Sequence, residues 1–104
     1  MSLNIDKMAA FTAGAVERFA QAQQQLVATG EAEGGKVRVT LAGDYVLREV
    51  IIQPEVIAKY RAEQIGQLIV AAHQRAREAL EVKTAEMIQR FAREDGIDIS
   101  SLVQ

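Results

Sequence analysis

Seven basic side chains gather between positions 59 and 93, where only four acidic residues lie. Lysine is a point charge and arginine a planar fork, and both bind phosphate groups without reading base sequence. By itself this mixture is more typical of a solvent-exposed helix with ion pairs, since the whole chain carries a net charge of −2. Five of the basic residues are candidates for contacts with DNA phosphates: Arg75, Arg77, Lys83, Arg90 and Arg93.

Residues suited to catalysis are few. The single histidine, His73, lies beside an apolar stripe, whereas a general base needs a partner group and a cleft. Glu31 and Glu33 share one face of a predicted strand, but basic residues of the next strand oppose them. The sequence contains no phosphate-binding loop, dinucleotide fingerprint, metal-ligand spacing or cysteine. We therefore expect a protein that is not an enzyme and uses no metal and no cofactor.

Residues 27–54 predict three short antiparallel strands joined by two glycine turns. Gly34-Gly35 suits a two-residue hairpin turn, which requires positive φ. This turn sets the register of the first two strands, with one charged face and one apolar face. The predicted pairs are Ala28 with Leu41, Thr29 with Thr40, Gly30 with Val39, Glu31 with Arg38, Ala32 with Val37 and Glu33 with Lys36.

A second two-residue turn is predicted at positions 43–44. It places Arg38 beside Glu49, which extends the charged row across all three strands. The same register puts Leu47 and Ile51 on the charged face. Either a bulge in the third strand or a second contact surface explains this, and both alternatives stay open.

Apolar residues that recur every three or four positions predict helices on both sides of the strands. The first helix is expected over residues 6–26 and a longer one over residues 62–93, with a turn of helix or a loop near 54–60. Residues 1–4 and 97–104 are expected to be loose ends. Together the elements predict a single α+β domain that takes in the whole chain.

The long helix exceeds the sheet in length. About thirty helical residues span ~45 Å, whereas a strand of eight residues spans only ~27 Å. The distal part of the apolar stripe is therefore expected to pack on the first helix or on a second copy of the chain. We expect a homodimer, and the candidate interface residues are Leu47, Ile51, Leu80, Met87 and Phe91.

The sequence also carries a recognisable series of short motifs, at Thr29–Glu31, Gly34–Thr40, Gly43 and Glu49–Pro54. With a long helix behind them, they resemble the YbaB/EbfC family of nucleoid-associated DNA-binding proteins over about residues 20–90. The resemblance implies a helix, a three-stranded antiparallel sheet and a long helix in a homodimer with protruding helices. It further implies binding to double-stranded DNA with little sequence preference, in the nucleoid of the bacterial cytoplasm.

Two other functions remain open from the sequence. The same dimer could act as a protein–protein interaction module whose helices grip another protein without binding DNA. It could also carry a small ligand in the groove between its helical arms. No apolar run approaches the ~20 residues that span a bilayer, and no secretory signal is evident, so we expect no membrane partner.

Overall fold

Three antiparallel strands form one sheet in the order β1-β2-β3, and helices precede and follow it. The computed structural model describes the backbone of residues 5–94 and the side chains of residues 14 and 16–93. The expected loose ends at 1–4 and 97–104 lie outside the described residues. The elements in chain order are α1 (Ile5–Gln25), β1 (Val27–Ala32), β2 (Val37–Ala42), β3 (Leu47–Ile52), α2 (Pro54–Lys59) and α3 (Ala62–Glu94).

The predicted register of the first hairpin is confirmed from Val27–Ala32 to Val37–Ala42. Its turn takes up residues 33–36, where Gly34 has a φ of 64° and Gly35 a φ of 89°. These are the positive values that a primed turn requires and that glycine adopts without strain. On the charged face Arg38 pairs with Glu31 at 3.2 Å.

The predicted register of the second hairpin is wrong, because the turn is longer than expected. The backbone N–H of Ala42 donates to the carbonyl oxygen of Val46 at 2.9 Å, so three residues form the loop. The last of them, Tyr45, adopts a φ of 66°. A turn followed by one left-handed residue is a standard three-residue hairpin loop. The sequence gives little sign of it, since tyrosine rarely adopts positive φ.

A bulge in β3, one of the two alternatives for this strand, resets the pairing. The register shifts between Thr40 and Leu41, so that Leu41 faces Leu47 while Thr40 faces Glu49. Leu47 thus lies on the apolar face, contrary to expectation, and Ile51 lies on the charged face as expected, opposite Arg38. The predicted row of three charges is therefore wrong at its third member.

The apolar face of the sheet packs against α3, which lies over β1 and β2. Alternate residues of β1 are buried, as expected for a strand with one covered face. Gly30 is required at this contact, since a Cβ there would overlap the α3 backbone at Ala72 and Ala76. The largest buried side chains of the core are Val37, Val39, Leu41, Val56 and Leu80.

The distal part of α3 packs on α1. The rings of Phe19 and Phe91 meet edge to face with their centroids 6.4 Å apart. Where α1 ends, the side-chain amide of Gln23 donates to the carbonyl oxygen of Gly43 at 3.2 Å. A Cβ at Gly43 would overlap the carbonyl of Gln23, so this glycine permits the close approach. The molecule is consequently elongated, with a longest dimension of 67 Å.

A short helix, α2, follows β3, and residues in and just after it contact the turn of the first hairpin. Pro54 opens it, at a position where the missing N–H costs nothing. The hydroxyl of Tyr60, just after α2, donates to Glu33 Oε1 at 2.7 Å. This hydrogen bond, with desolvation and the negative charge of Glu33, raises the pKa of Tyr60 above its ordinary value. Lys36 and Glu55 form an exposed ion pair at 3.2 Å beside it.

Candidate nucleic-acid interface

The five predicted phosphate contacts divide between two flanks of α3. With 3.6 residues per turn, positions 75, 83, 90 and 93 fall within roughly 80° of one another around the helix axis. Arg77 lies on nearly the opposite side. The structure therefore brings four of the five cations to one flank, which we call the basic flank: Arg75, Lys83, Arg90 and Arg93.

Two members of the basic flank reach back to the edge of the sheet. Arg75 donates from Nη1 to the carbonyl oxygen of Glu31 at 2.6 Å. Lys83 donates from Nζ to the carbonyl oxygen of Val27 at 2.5 Å. Both side chains are exposed, but part of their hydrogen-bonding capacity is committed to β1. Sequence reasoning missed these contacts because they depend on where α3 lies over the sheet.

The other two members lie on the part of α3 that packs on α1. Arg90 lines a groove between the two helices together with Gln25 and Leu26. An adjoining opening is lined by Arg18 of α1 and by Phe91. Arg93 is exposed in the last turn of α3. Positive charge from both helices therefore borders this groove, and Arg18 is a candidate that sequence reasoning did not select.

Arg77 belongs to a surface of mixed charge on the opposite flank. Its Nε lies 3.7 Å from Glu81 Oε1, and both side chains are more than half exposed. This is the common i,i+4 ion pair of a solvated helix face. His73 is exposed on the same surface, beside Val70 and Glu78. Nothing encloses the imidazole, so the surface lacks the cleft that a general base requires.

The five residues predicted for the dimer interface also fall into two groups. Leu80 is 0% exposed and Met87 1% exposed within a single chain, so neither has a surface to offer a second copy. Phe91 is half-buried against α1. Leu47 and Ile51, by contrast, are 51% and 37% exposed on β3. Of the two covers considered for the distal stripe, the structure shows α1, and the two candidates on β3 are the most exposed of the five.

The described residues show neither a metal site nor a membrane span. No group of three or more potential ligands among histidine, cysteine, aspartate and glutamate occurs within the described part of the chain. Within the same part, none of the helices is long and apolar enough to cross a bilayer.

The fold and the basic flank together define a small α+β protein whose long helix presents cations beside an edge of the sheet. Residues 2–95 match the YbaB/EbfC DNA-binding family. The chain belongs to that family, as its motifs indicated.

Individual relatives agree with this assignment. A nucleoid-associated protein of Bartonella bacilliformis is 36% identical over 78 residues, which are 72% of each chain. One of Caulobacter vibrioides is 37% identical over 79 residues, 73% of this chain and 72% of that one. The crystal structure of an uncharacterized protein, HP0035, from Helicobacter pylori superposes with a TM-score of 0.67 at 16% identity. It covers 86% of this chain and 97% of that one, and at such low identity it shows the fold alone.

Proposed function

We propose that this chain is a nucleoid-associated protein that binds double-stranded DNA as a homodimer with little sequence preference. The basic residues of α3 make the contacts. The observation that carries the proposal is the gathering of Arg75, Lys83, Arg90 and Arg93 on one flank of a helix, in a chain of the YbaB/EbfC DNA-binding family. The names of its bacterial relatives favour the nucleoid as the place of action.

The type of residue favours contact with the DNA backbone. Arginine and lysine bind phosphate oxygens through charge-assisted hydrogen bonds, and such contacts carry no base information. The chain as a whole is acidic, with a net charge of −2. Binding must therefore arise from local charge, and it should weaken steeply as salt screens that charge and counterion release loses its advantage.

The four cations of the basic flank differ in how free they are to contact phosphate groups. Arg75 and Lys83 already donate to carbonyl oxygens of β1, so they contribute mainly long-range attraction. Arg90 lies farther along α3, in the groove next to the opening that Arg18 lines, and Arg93 is exposed in the last turn of the helix. We place the principal phosphate contacts at Arg90 and Arg93. Arg77 is the weakest of the five because it lies on the opposite flank and pairs with Glu81.

A homodimer would double this surface, and β3 is the element that favours it. β3 forms an edge of the sheet, and all six of its residues are exposed or half-exposed. Leu47 and Val50 face the apolar side of the sheet, opposite Leu41 and Val39, beyond the cover of α3. An edge strand with apolar side chains is a template for pairing with another chain. A second copy added there would bring two basic flanks into one particle.

The decisive experiment is a mobility-shift titration on two unrelated duplexes of equal length, repeated across a salt series. We expect both duplexes to shift with similar affinity and the logarithm of the association constant to fall linearly with the logarithm of salt concentration. The absence of a shift even at low salt would overturn the DNA proposal and favour the protein–protein module. A strong preference for one duplex would contradict backbone recognition.

A further inference from the structure

The two edges of the sheet differ in what they present to another strand. In a three-stranded sheet, β1 and β3 each have one side without a neighbouring strand. Such edges expose N–H and C=O groups that can pair with another chain. If both edges of one molecule accepted strands, β1 of one copy could pair with β3 of the next, and nothing in that head-to-tail contact would stop its growth.

At the β1 edge, two cations of α3 occupy backbone acceptors. In an antiparallel strand, the backbone groups of every second residue point to the same side, so the carbonyls of Val27 and Glu31 point together. Lys83 donates to the first and Arg75 to the second. Thr29 turns its carbonyl to the same side, so two of the three outward acceptors of this segment, the first and the last, are already engaged.

The spacing of the two contacts matches between helix and strand. Arg75 and Lys83 are eight residues apart, which is ~12 Å along a helix. Val27 and Glu31 are four residues apart, which is ~13 Å along a strand. Because the later helix residue meets the earlier strand residue, α3 runs antiparallel to β1. Both cations therefore reach the edge at the same time.

Gly30 makes this arrangement possible. It lies between the two acceptors, and the α3 backbone passes so close that a Cβ there would stand 2.8 Å from the carbonyl carbon of Arg75. The α3 backbone thus packs close to β1, which allows side chains of α3 to reach the carbonyl oxygens of the strand. The side chains of Arg75 and Lys83 stay exposed while their terminal nitrogens donate to the strand.

The β3 edge presents a different surface. Its bulge lies at the start of the strand, and regular pairing continues from Glu49 to Ile52. α3 covers β1 and β2, and β3 keeps exposed apolar side chains at Leu47, Val50 and Ile51. The surface suited to strand addition is therefore at one edge, and the cations from α3 are at the other.

We propose that Arg75 and Lys83 close the β1 edge, so that a second copy of this chain can add only at β3 and assembly stops at two. The statement that assembly stops at two chains rests on the proposed homodimer. The closing of β1 itself rests on the contacts described above. Arg75 and Lys83 thereby have an assembly-limiting role distinct from phosphate contact.

The test is a double variant, Arg75→Met with Lys83→Met, which keeps long apolar side chains but removes both donors. The matched control is Arg77→Met with Arg93→Met, which removes the same charge from α3 without touching β1. Sedimentation velocity and light scattering over a concentration series would report the mass of each protein. Circular dichroism would verify that each is folded. Should the double variant not fold, Lys83→Met alone is measured against Arg77→Met.

We expect the weight-average mass of the double variant to rise with concentration to at least roughly twice that of the unaltered chain, as open head-to-tail growth requires. The control should keep the mass of the unaltered chain. A folded double variant with unchanged mass would overturn the proposal, as would equal growth in the control. The unaltered chain reports separately on the proposed dimer, because a monomer at all concentrations would refute pairing at β3 without deciding the state of β1.

Discussion

The ring of Phe19 in α1 meets the ring of Phe91 in α3 edge to face, with the two centroids 6.4 Å apart. This contact lies beyond the reach of the sheet, on the part of α3 for which the sequence left the cover undecided. Met87, one turn before Phe91, is fully buried there. The first helix thus covers the distal part of the apolar stripe within the single chain.

The first prediction follows from this ring contact. Phe19→Ala and Phe91→Ala should each loosen α1 from α3, and the double-mutant cycle should give a coupling of about 0.5–1.5 kcal/mol, the usual range for an aromatic pair. Urea unfolding measures the free energies. Hydrogen exchange should show faster exchange in α1 than in β1 and β2, which keep their own core. Strictly additive effects of the two substitutions would contradict a direct ring contact.

How far the sequence determines the sheet depends on the turn. Gly34 and Gly35 mark the first hairpin because they adopt the positive φ that its turn requires, and the pairs predicted from Ala28–Leu41 to Ala32–Val37 are confirmed. The further predicted pair, Glu33 with Lys36, is wrong, because both residues lie in the turn and Glu33 itself has a φ of 53°. In the second hairpin the left-handed position is held by Tyr45. A tyrosine in the sequence does not predict that conformation, because tyrosine rarely adopts positive φ. The prediction therefore made the loop one residue too short and placed Leu47 on the wrong face.

The candidate site shows a similar division. Spacing along α3 places the cations on a helix and shows which share a flank, because helical periodicity is a local property. The sequence could not show that Arg75 and Lys83 bind carbonyls of β1. These contacts join residues 44 and 56 positions apart and depend on the close approach at Gly30. Long-range contacts of this kind become visible only when the packing of the helix on the sheet is known.

Gly30 provides the second prediction. Gly30→Ala should destabilise the protein by more than about 3 kcal/mol, because the new Cβ would overlap the backbone of α3 and no side chain can move aside to relieve it. The matched control is Gly66→Ala, where a Cβ would meet nothing within 4 Å among the described residues. That change should stabilise α3 by up to about 1 kcal/mol. Denaturant unfolding of both variants measures the contrast, and a similar small effect at the two sites would contradict the close packing.

The third prediction concerns the hydrogen bond from Tyr60 to Glu33. It holds the pKa of Tyr60 above its ordinary value. The neutral phenol is therefore favoured in the folded state, so its contribution to stability is fully present below the unfolded pKa of about 10 and is lost as pH rises through the raised value. Tyrosinate absorbance during an alkaline titration should show one late transition from Tyr60.

Glu33→Gln supplies the comparison for that titration. The amide keeps an acceptor oxygen but loses the negative charge, so the late transition should move to lower pH. Tyr60→Phe should remove it. A titration of the unaltered chain without a late transition would show that the hydrogen bond does not persist in solution.

The fourth prediction tests β3 as the surface for a second copy. Val50 faces the apolar side of the sheet and is 37% exposed in the single chain. Val50→Lys should leave the fold intact but weaken self-association by about 100-fold or more, because a lysine buried without a partner costs several kcal/mol. Sedimentation equilibrium measures the change. Val70→Lys places the same charge on an exposed position of α3 and should leave association unaltered; equal loss in both variants would remove β3 from the interface.

The last prediction separates phosphate contacts from cations that serve the fold. Arg90→Gln with Arg93→Gln should lower the steepness of the salt dependence by about 2 per protomer, since each lost phosphate contact removes roughly 0.9 from the log–log slope. Affinity should fall equally for unrelated duplexes while thermal stability changes little, because both side chains are exposed. The control, Arg38→Gln with Arg61→Gln, removes the same charge from the outer face of the sheet and the start of α3 and should leave the slope almost unchanged.

Arg75→Gln should instead lower thermal stability clearly and change the slope little, because its guanidinium binds the carbonyl oxygen of Glu31. If the slope responds to total charge alone, with all these variants alike, then the positions on the basic flank have no special role and DNA senses only the net charge of the protein.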